Sequence, residues 1–168
     1  MDHARKGRKG LIRIKLNNLV DDELISHLYK ASQAGVVIEM IIRGMCGLRP
    51  GVKGLSDNIR VISIVDRFLE HTRLIIFGND GEPDVFISSA DWMTRNLDQR
   101  VEVTCPIYDP ALKKYLLTIM GVQLADNQKA RIIDKQQVNK YQPRGNKRKI
   151  RSQEAIYQLL ASTGSIVK

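Results

Sequence analysis

Leu11-Ile12-Arg13-Ile14-Lys15-Leu16, then the acidic pair Asp21-Asp22, then Val36-Val37-Ile38-Glu39-Met40-Ile41-Ile42 is the stretch whose reading decides the fold. The first run alternates apolar and basic residues, the period of a strand with one buried face. Asp21 and Asp22 suit a helix start, where carboxylates accept orphan backbone N–H groups and complement the helix dipole. The helix is expected to bury Leu24, Ile25, Leu28, Tyr29 and Ala31 and to stop at Gly35. The last run is almost continuously apolar, as in a strand covered on both faces. Strand, helix and buried strand within about 30 residues make a βαβ unit with parallel strands and a right-handed crossover.

Outward from that unit, Ile59–Ile64 reads as another strand or a buried turn and residues 65–70 as a short helical segment. Arg73–Phe77 and Val85–Ser88 read as two strands of a hairpin joined by Gly78-Asn79-Asp80-Gly81-Glu82-Pro83. A hairpin beside a βαβ unit implies an α/β fold with a mixed β-sheet flanked by helices. Residues 94–100 read as a polar loop, Val101–Thr104 as a strand, and residues 109–124 as a helix with Leu112, Leu116, Ile119 and Met120 in the core. Ala130–Asp134 is expected to be an edge strand, and a closing helix to bury Ala155, Ile156, Leu159 and Leu160.

At 168 residues the chain fits a single domain, here 10–168, preceded by a basic leader, 1–9, that is either an interdomain segment or an artificial extension. The formal charge is 27 − 18 = +9, so polyanions are attracted. Two unspaced cysteines, Cys46 and Cys105, carry no metal signature, and no disulfide is expected. No apolar run approaches a membrane span and no signal peptide is evident, so a cytoplasmic protein is expected.

Chemistry concentrates at a few points. Residues 43–54 form a glycine-rich loop with Arg43, Arg49 and Lys53 at the carboxyl end of the buried strand, where open α/β sheets place ligands. Among the histidines, His3 lies in the leader and His27 shares a polar helix face with Glu23 and Lys30. His71 opens a strand, with Arg73 on the same side and Ser88-Ser89-Ala90-Asp91 leaving the next strand. A structural histidine and a proton donor or phosphoryl acceptor both remain open on composition alone. The cluster Arg144, Lys147, Arg148, Lys149 and Arg151 reads as a solvated surface or polyanion contact.

Arg43-Gly44-Met45-Cys46, Ser56 through His71, Ser88-Ser89-Ala90-Asp91-Trp92-Met93-Thr94-Arg95-Asn96 and Pro143-Arg144-Gly145-Asn146 resemble, in order, the last catalytic domain of bacterial polyphosphate kinase. The family is similar in fold to phospholipase D enzymes, whose motif is His-x-Lys-x4-Asp with a downstream Gly-Ser-x-Asn. Here the pattern is degenerate: His71-x-Arg73 keeps the spacing, Gly78 stands where the aspartate would be, and Ser88-Ser89-Ala90-Asp91 replaces the second element. That departure argues against a phosphodiesterase. The resemblance implies reversible transfer of the ATP γ-phosphate to polyphosphate through a phosphohistidine carried on another domain.

By the same resemblance Arg43 and His71 correspond to ATP-contacting positions and Arg100 to a further arginine at the phosphates, with His71 as acid/base or phosphate contact. Arg73, Ser88, Ser89 and Asp91 are weaker candidates. No metal is expected to bind this chain; magnesium ligands and the phosphorylated histidine belong to preceding domains, so the isolated chain is expected to be inactive. Expected partners are ATP or ADP, inorganic polyphosphate, the upstream domains and a second copy of the full-length protein, with peripheral association at the inner membrane face open and no obligate nucleic acid. A polyanion or nucleic-acid binding module is the competing reading, although only 5% of residues are aromatic, too few for an evident base-stacking surface.

Overall fold

The computed structural model describes residues 10–162, so the basic leader and His3 lie outside the described residues. Seven strands form one mixed sheet in the order β6-β5-β4-β1-β2-β3-β7. In chain order the elements are β1 (Leu11–Leu16), α1 (Asp22–Gln33), β2 (Val37–Ile42), β3 (Ile59–Ile64), β4 (Leu74–Phe77), β5 (Asp84–Ser88), α2 (Thr94–Gln99), β6 (Thr104–Ile107), α3 (Pro110–Leu124), β7 (Ala130–Ile133) and α4 (Ser152–Ser162).

Side-chain alternation divides the apolar residues between two cores. Ile14, Leu16, Ile38, Met40, Ile42, Ile59 and Val61 meet Ile25, Leu28 and Ala31 of α1 on one face. Ile41, Ile62, Ile64, Leu74, Ile76 and Val85 meet Met120 and Leu124 of α3 on the other. Helix α1 begins where the Asp21 carboxylate accepts the Leu24 N–H at 3.0 Å, and the chain turns out of it at Gly35, whose φ of +87° lies in the left-handed region. Helix α3 begins in the same way, with Asp109 accepting the Leu112 N–H and Pro110 at the first helical position.

Strands β1, β2 and β3 are parallel, while β4, β6 and β7 run antiparallel to their inner neighbours and β5 antiparallel to β4. The register pairs Lys15 with Leu74, Leu74 with Ile87, Ser88 with Thr104, and Ile64 with Ala130. One end of the sheet therefore collects the exits of β1, β2, β3 and β5 and the entries of β4, β6 and β7. This rim carries the chemistry. The hairpin, the parallel βαβ unit and the edge strand Ala130–Ile133 are as expected.

Several local expectations fail, each for a visible reason. Residues 65–70 are irregular, with a bend at Arg67 and Phe68, rather than helical, and Val65, Phe68 and Leu69 lie in solvent; polar straps described below hold them there. Thr94–Gln99 is helix α2 rather than a loop. Strand β6 starts at Thr104, because Glu102 turns back to receive Asn96 at 2.7 Å and the Ser89 hydroxyl. Leu112 is 51% exposed, and α4 buries Ser152 and Gln153 while Leu160 stays exposed. Helix α3 docks through Leu116, Leu117, Met120 and Leu124 in its second half, and α4 through its first turn. On the outer strands, Pro106 pairs with Phe86 within β6, and residues 140–142 lie against β7, where the Ile132 N–H donates to Lys140 O and the Gln142 N–H to Ala130 O, both at 2.8 Å.

Candidate functional site at the sheet rim

Asp91 is the hub of the rim. Its side chain is 8% exposed, and Oδ1 accepts the backbone N–H of Asn17 at 2.8 Å and of Asn18 at 3.3 Å. Arg73 donates from Nε to Oδ1 at 3.1 Å and from Nη2 to Oδ2 at 3.3 Å. Burial pushes the carboxyl pKa up, but the Arg73 fork and the two backbone donors outweigh it and hold the group below its ordinary value. The carboxylate thus ties the exit of β1 to the exit of β5 and to the residue before β4. Arg73 and Asp91 are accordingly an internal salt bridge, not free phosphate contacts.

Arg43 follows β2 and donates from Nε to the Asn17 side-chain oxygen at 3.1 Å, which leaves both terminal guanidinium nitrogens uncommitted among the described residues. The chain can pass so close because residue 44 is glycine: a Cβ there would lie 2.6 Å from Asn18 Oδ1, and the Gly44 N–H donates to Asn17 O at 2.7 Å. His71 is exposed in the irregular run before β4, so it precedes a strand rather than opening one, and its carbonyl accepts from Arg73 Nη1 at 3.3 Å. Its imidazole has no hydrogen-bond partner among the described residues. Arg100, exposed after α2, lies near Glu102. The Ser89 and Asn96 donors lower the Glu102 pKa, and the nearby Arg100 and Arg73 charges lower it further. Ser89 is therefore committed to Glu102, and Ser88 shares a 2.9 Å hydroxyl contact with Thr104. Arg43 follows β2, His71 precedes β4 and Arg100 precedes β6, so the backbone of each lies toward the same end of the sheet.

Sequence reasoning missed the residues that build this platform. Lys15, 3% exposed, is the largest omission: it alternates to the second face of β1 and donates to Glu70 at 2.8 Å. Burial lowers its pKa; Glu70 acts against this, while the Arg43 charge adds to the lowering. Glu70 also accepts from Gln123 of α3 at 3.3 Å. Asp66, its side chain 2% exposed, receives a bidentate fork from Arg151 at 2.7 and 2.8 Å. The Gln153 amide closes a two-way bond on the backbone of Phe68, accepting its N–H and donating to its carbonyl, each at 2.8 Å. The run leading to His71 is thus strapped at residues 66, 68, 70 and 73. The alternating pattern of β1 could have revealed Lys15 as an inward cation; the partners of Asp66 and Phe68 lie 85 residues away and leave no local signal.

Among the described residues no group of three or more His, Cys, Asp or Glu side chains gathers as a metal site, and no helix is long and apolar enough to cross a membrane.

Comparison with known proteins places this rim in a family. A polyphosphate kinase of Vibrio parahaemolyticus serotype O3:K6 is 58% identical over 158 residues, covering 94% of this chain and 23% of the relative. The chain therefore spans about a quarter of the length of such relatives. The crystal structure of polyphosphate kinase from Porphyromonas gingivalis superimposes with a TM-score of 0.93 at 44% identity, over 96% of this chain and 25% of that one. Nuc from Salmonella typhimurium, a phospholipase D family member, matches with a TM-score of 0.57 at 16% identity, over 78% of this chain and 86% of its own, which shows the shared phospholipase D-like fold alone. The model of the polyphosphate kinase C-terminal domain 2 matches residues 1–153, and the chain belongs to that family.

Proposed function

We propose that this domain, residues 10–168, supplies half of the site at which a longer polypeptide reversibly transfers the γ-phosphate of ATP to polyphosphate through a histidine on another domain. The observation that carries the reading is that Arg43, His71 and Arg100 all lie in segments at the same end of the sheet, while the neighbouring cation Arg73 is spent on Asp91. Phosphoryl transfer spreads negative charge over the equatorial oxygens, and fixed cations from separate strands stabilise that charge without reorganising. Arg43 and Arg100 would clamp the phosphates from two sides, and His71 would hydrogen-bond or protonate the transferring or leaving oxygen.

Magnesium fits this chain poorly. The rim carboxylates Glu70, Asp91 and Glu102 are each occupied by Lys15, Arg73 or Ser89 and Asn96, so the ion's ligands belong to the preceding domains. The setting we infer is the cytoplasm, with peripheral contact at the inner membrane face and self-association of the full-length protein. A phospholipase D-like diesterase is disfavoured by Gly78 at the aspartate position and by Ser88-Ser89-Ala90-Asp91 in place of the second motif element.

The test is ATP-dependent polyphosphate synthesis by the full-length parent. His71→Ala, Arg43→Ala and Arg100→Ala should each lower kcat by roughly 100-fold or more, the size seen when one charge-stabilising donor is removed. The 168-residue chain alone should make no polyphosphate. Undiminished synthesis by the His71→Ala parent would remove the central claim, and turnover of bis(p-nitrophenyl) phosphate by the isolated chain would revive the diesterase. The nucleic-acid alternative would require neutralising Arg144 to Arg151 to abolish binding while His71→Ala left transfer untouched.

A further inference from the structure

We propose that a pocket beside the rim is an anion subsite for a phosphoanhydride chain, with Arg131 as a binding residue that shares its lining with Arg43. The pocket has a volume of about 430 Å³, and its lining includes Arg43, Ser63, Arg131, Gln137 and Asn139 but no carboxylate. That volume lies within the range of small-ligand clefts, ~300–1,000 Å³. Among the described residues neither guanidinium is within 4 Å of an acidic side chain. Two uncompensated guanidinium groups from different strands face one cavity.

The Arg131 part of the lining is built, not incidental. Arg131 lies on β7 opposite Ser63 of β3. Its guanidinium carbon sits 3.9 Å from the Tyr141 ring centroid, and Nη1 donates to Asn139 O at 2.8 Å. Stacking fixes the plane of the cation without neutralising it, and most of its N–H groups stay available. The loop that supplies Tyr141 holds Gln137 and Asn139 at φ of 53° and 56°, left-handed values that cost energy for residues other than glycine. It persists because the Asp134 carboxylate accepts the N–H groups of Gln136 and Val138 at 3.1 and 3.2 Å. The Ser63 hydroxyl donates to Arg43 O at 3.3 Å.

Two planar guanidinium forks in one lining, with the carboxamides of Gln137 and Asn139 beside them, suit tetrahedral phosphate oxygens. The pocket lining contains no aromatic ring on which a nucleobase could stack. The identity of the ligand as polyphosphate rests on the kinase reading; the anion site does not.

Calorimetric titration of the 168-residue chain with tripolyphosphate, repeated with ATP, tests the subsite. Arg131→Gln should weaken tripolyphosphate binding by about tenfold or more, the size of a hydrogen bond to a charged group. Arg148→Gln and Lys149→Gln should change it by less than about twofold, as exposed charges do. A loss for tripolyphosphate alone assigns the pocket to the inorganic chain, and an equal loss for ATP assigns it to the nucleotide's triphosphate; both support the site. No loss with Arg131→Gln, or an equal loss with Arg148→Gln, overturns it in favour of diffuse attraction to a basic surface. Arg131→Lys keeps the charge and stem and should recover part of the affinity, with urea midpoints confirming that both variants fold. Because binding is read without turnover, an active His71→Ala parent would sink the kinase reading and leave this result standing.

Discussion

Replacing Asp91 with asparagine is the sharpest test of the rim as a physical object. Asp91→Asn keeps the shape and one carbonyl acceptor but removes the charge that faces the Arg73 fork and the N–H groups of Asn17 and Asn18. Breaking a buried ion pair by neutralising one partner costs about 3–5 kcal/mol. Arg73 keeps 21% of its side chain in water while Asp91 keeps 8%, so the lower end, about 3 kcal/mol, is expected. With an m-value of about 2 kcal/mol/M for urea, the midpoint should fall by about 1.5 M. The sign with pH follows from the lowered carboxyl pKa. Stability from the pair is fully present above the unfolded carboxyl pKa, near ~4, and is lost as pH falls through the lower folded value. Wild-type and variant midpoints should therefore differ most at neutral pH and converge toward strongly acidic pH. Adding Arg73→Met to Asp91→Asn should recover most of the loss. A midpoint shift below about 0.3 M at neutral pH would refute the assignment of Asp91 as the hub.

Three further outcomes follow from the same geometry. Glu70→Gln should destabilise by about 3 kcal/mol in urea, since it strands the buried Lys15 ammonium, whereas Lys15→Met, which leaves Glu70 partly in water with Gln123 as donor, should cost under about 1.5 kcal/mol; equal costs would contradict the asymmetry of burial. Arg151→Met should leave the buried Asp66 carboxylate with only the more distant Lys129, lower the urea midpoint and speed limited tryptic cleavage after Arg67; an unchanged midpoint and cleavage rate would mean that Gln153 alone holds the segment. Iodoacetamide should label exposed Cys105 before half-buried Cys46, whose thiol pKa is pushed up by burial, and mass spectrometry showing the reverse order would be inconsistent with the packing of the loop after β2.

Wherever a side chain reports its own surroundings, the sequence was readable. The apolar alternation of β1, the continuous run of β2 and the turn between β4 and β5 each encode burial locally, and together they specify a mixed sheet. Thr94–Gln99 escaped because it contains only one large apolar residue, Leu97, and so has no period to detect. Residues 65–70 misled in the opposite sense: Val65, Phe68 and Leu69 have helical spacing, but the backbone is held open by Arg151 and Gln153, partners brought by the fold from the far end of the chain. The candidate residues Arg43, His71 and Arg100 were visible through the family resemblance, whereas the acids that silence Arg73 and Lys15 only become neighbours once the sheet exists.

The outer strands deserve a last consequence. A sheet with two free borders offers a template for uncontrolled strand addition, the usual route by which α/β domains stick to one another. Here one border is interrupted by Pro106, which has no N–H to offer a newcomer, and the other is already occupied by residues 140–142, the same stretch that brings Tyr141 onto Arg131. The stretch that shapes the pocket wall is also what keeps that border from recruiting foreign strands, so loosening it should cost solubility as well as anion binding.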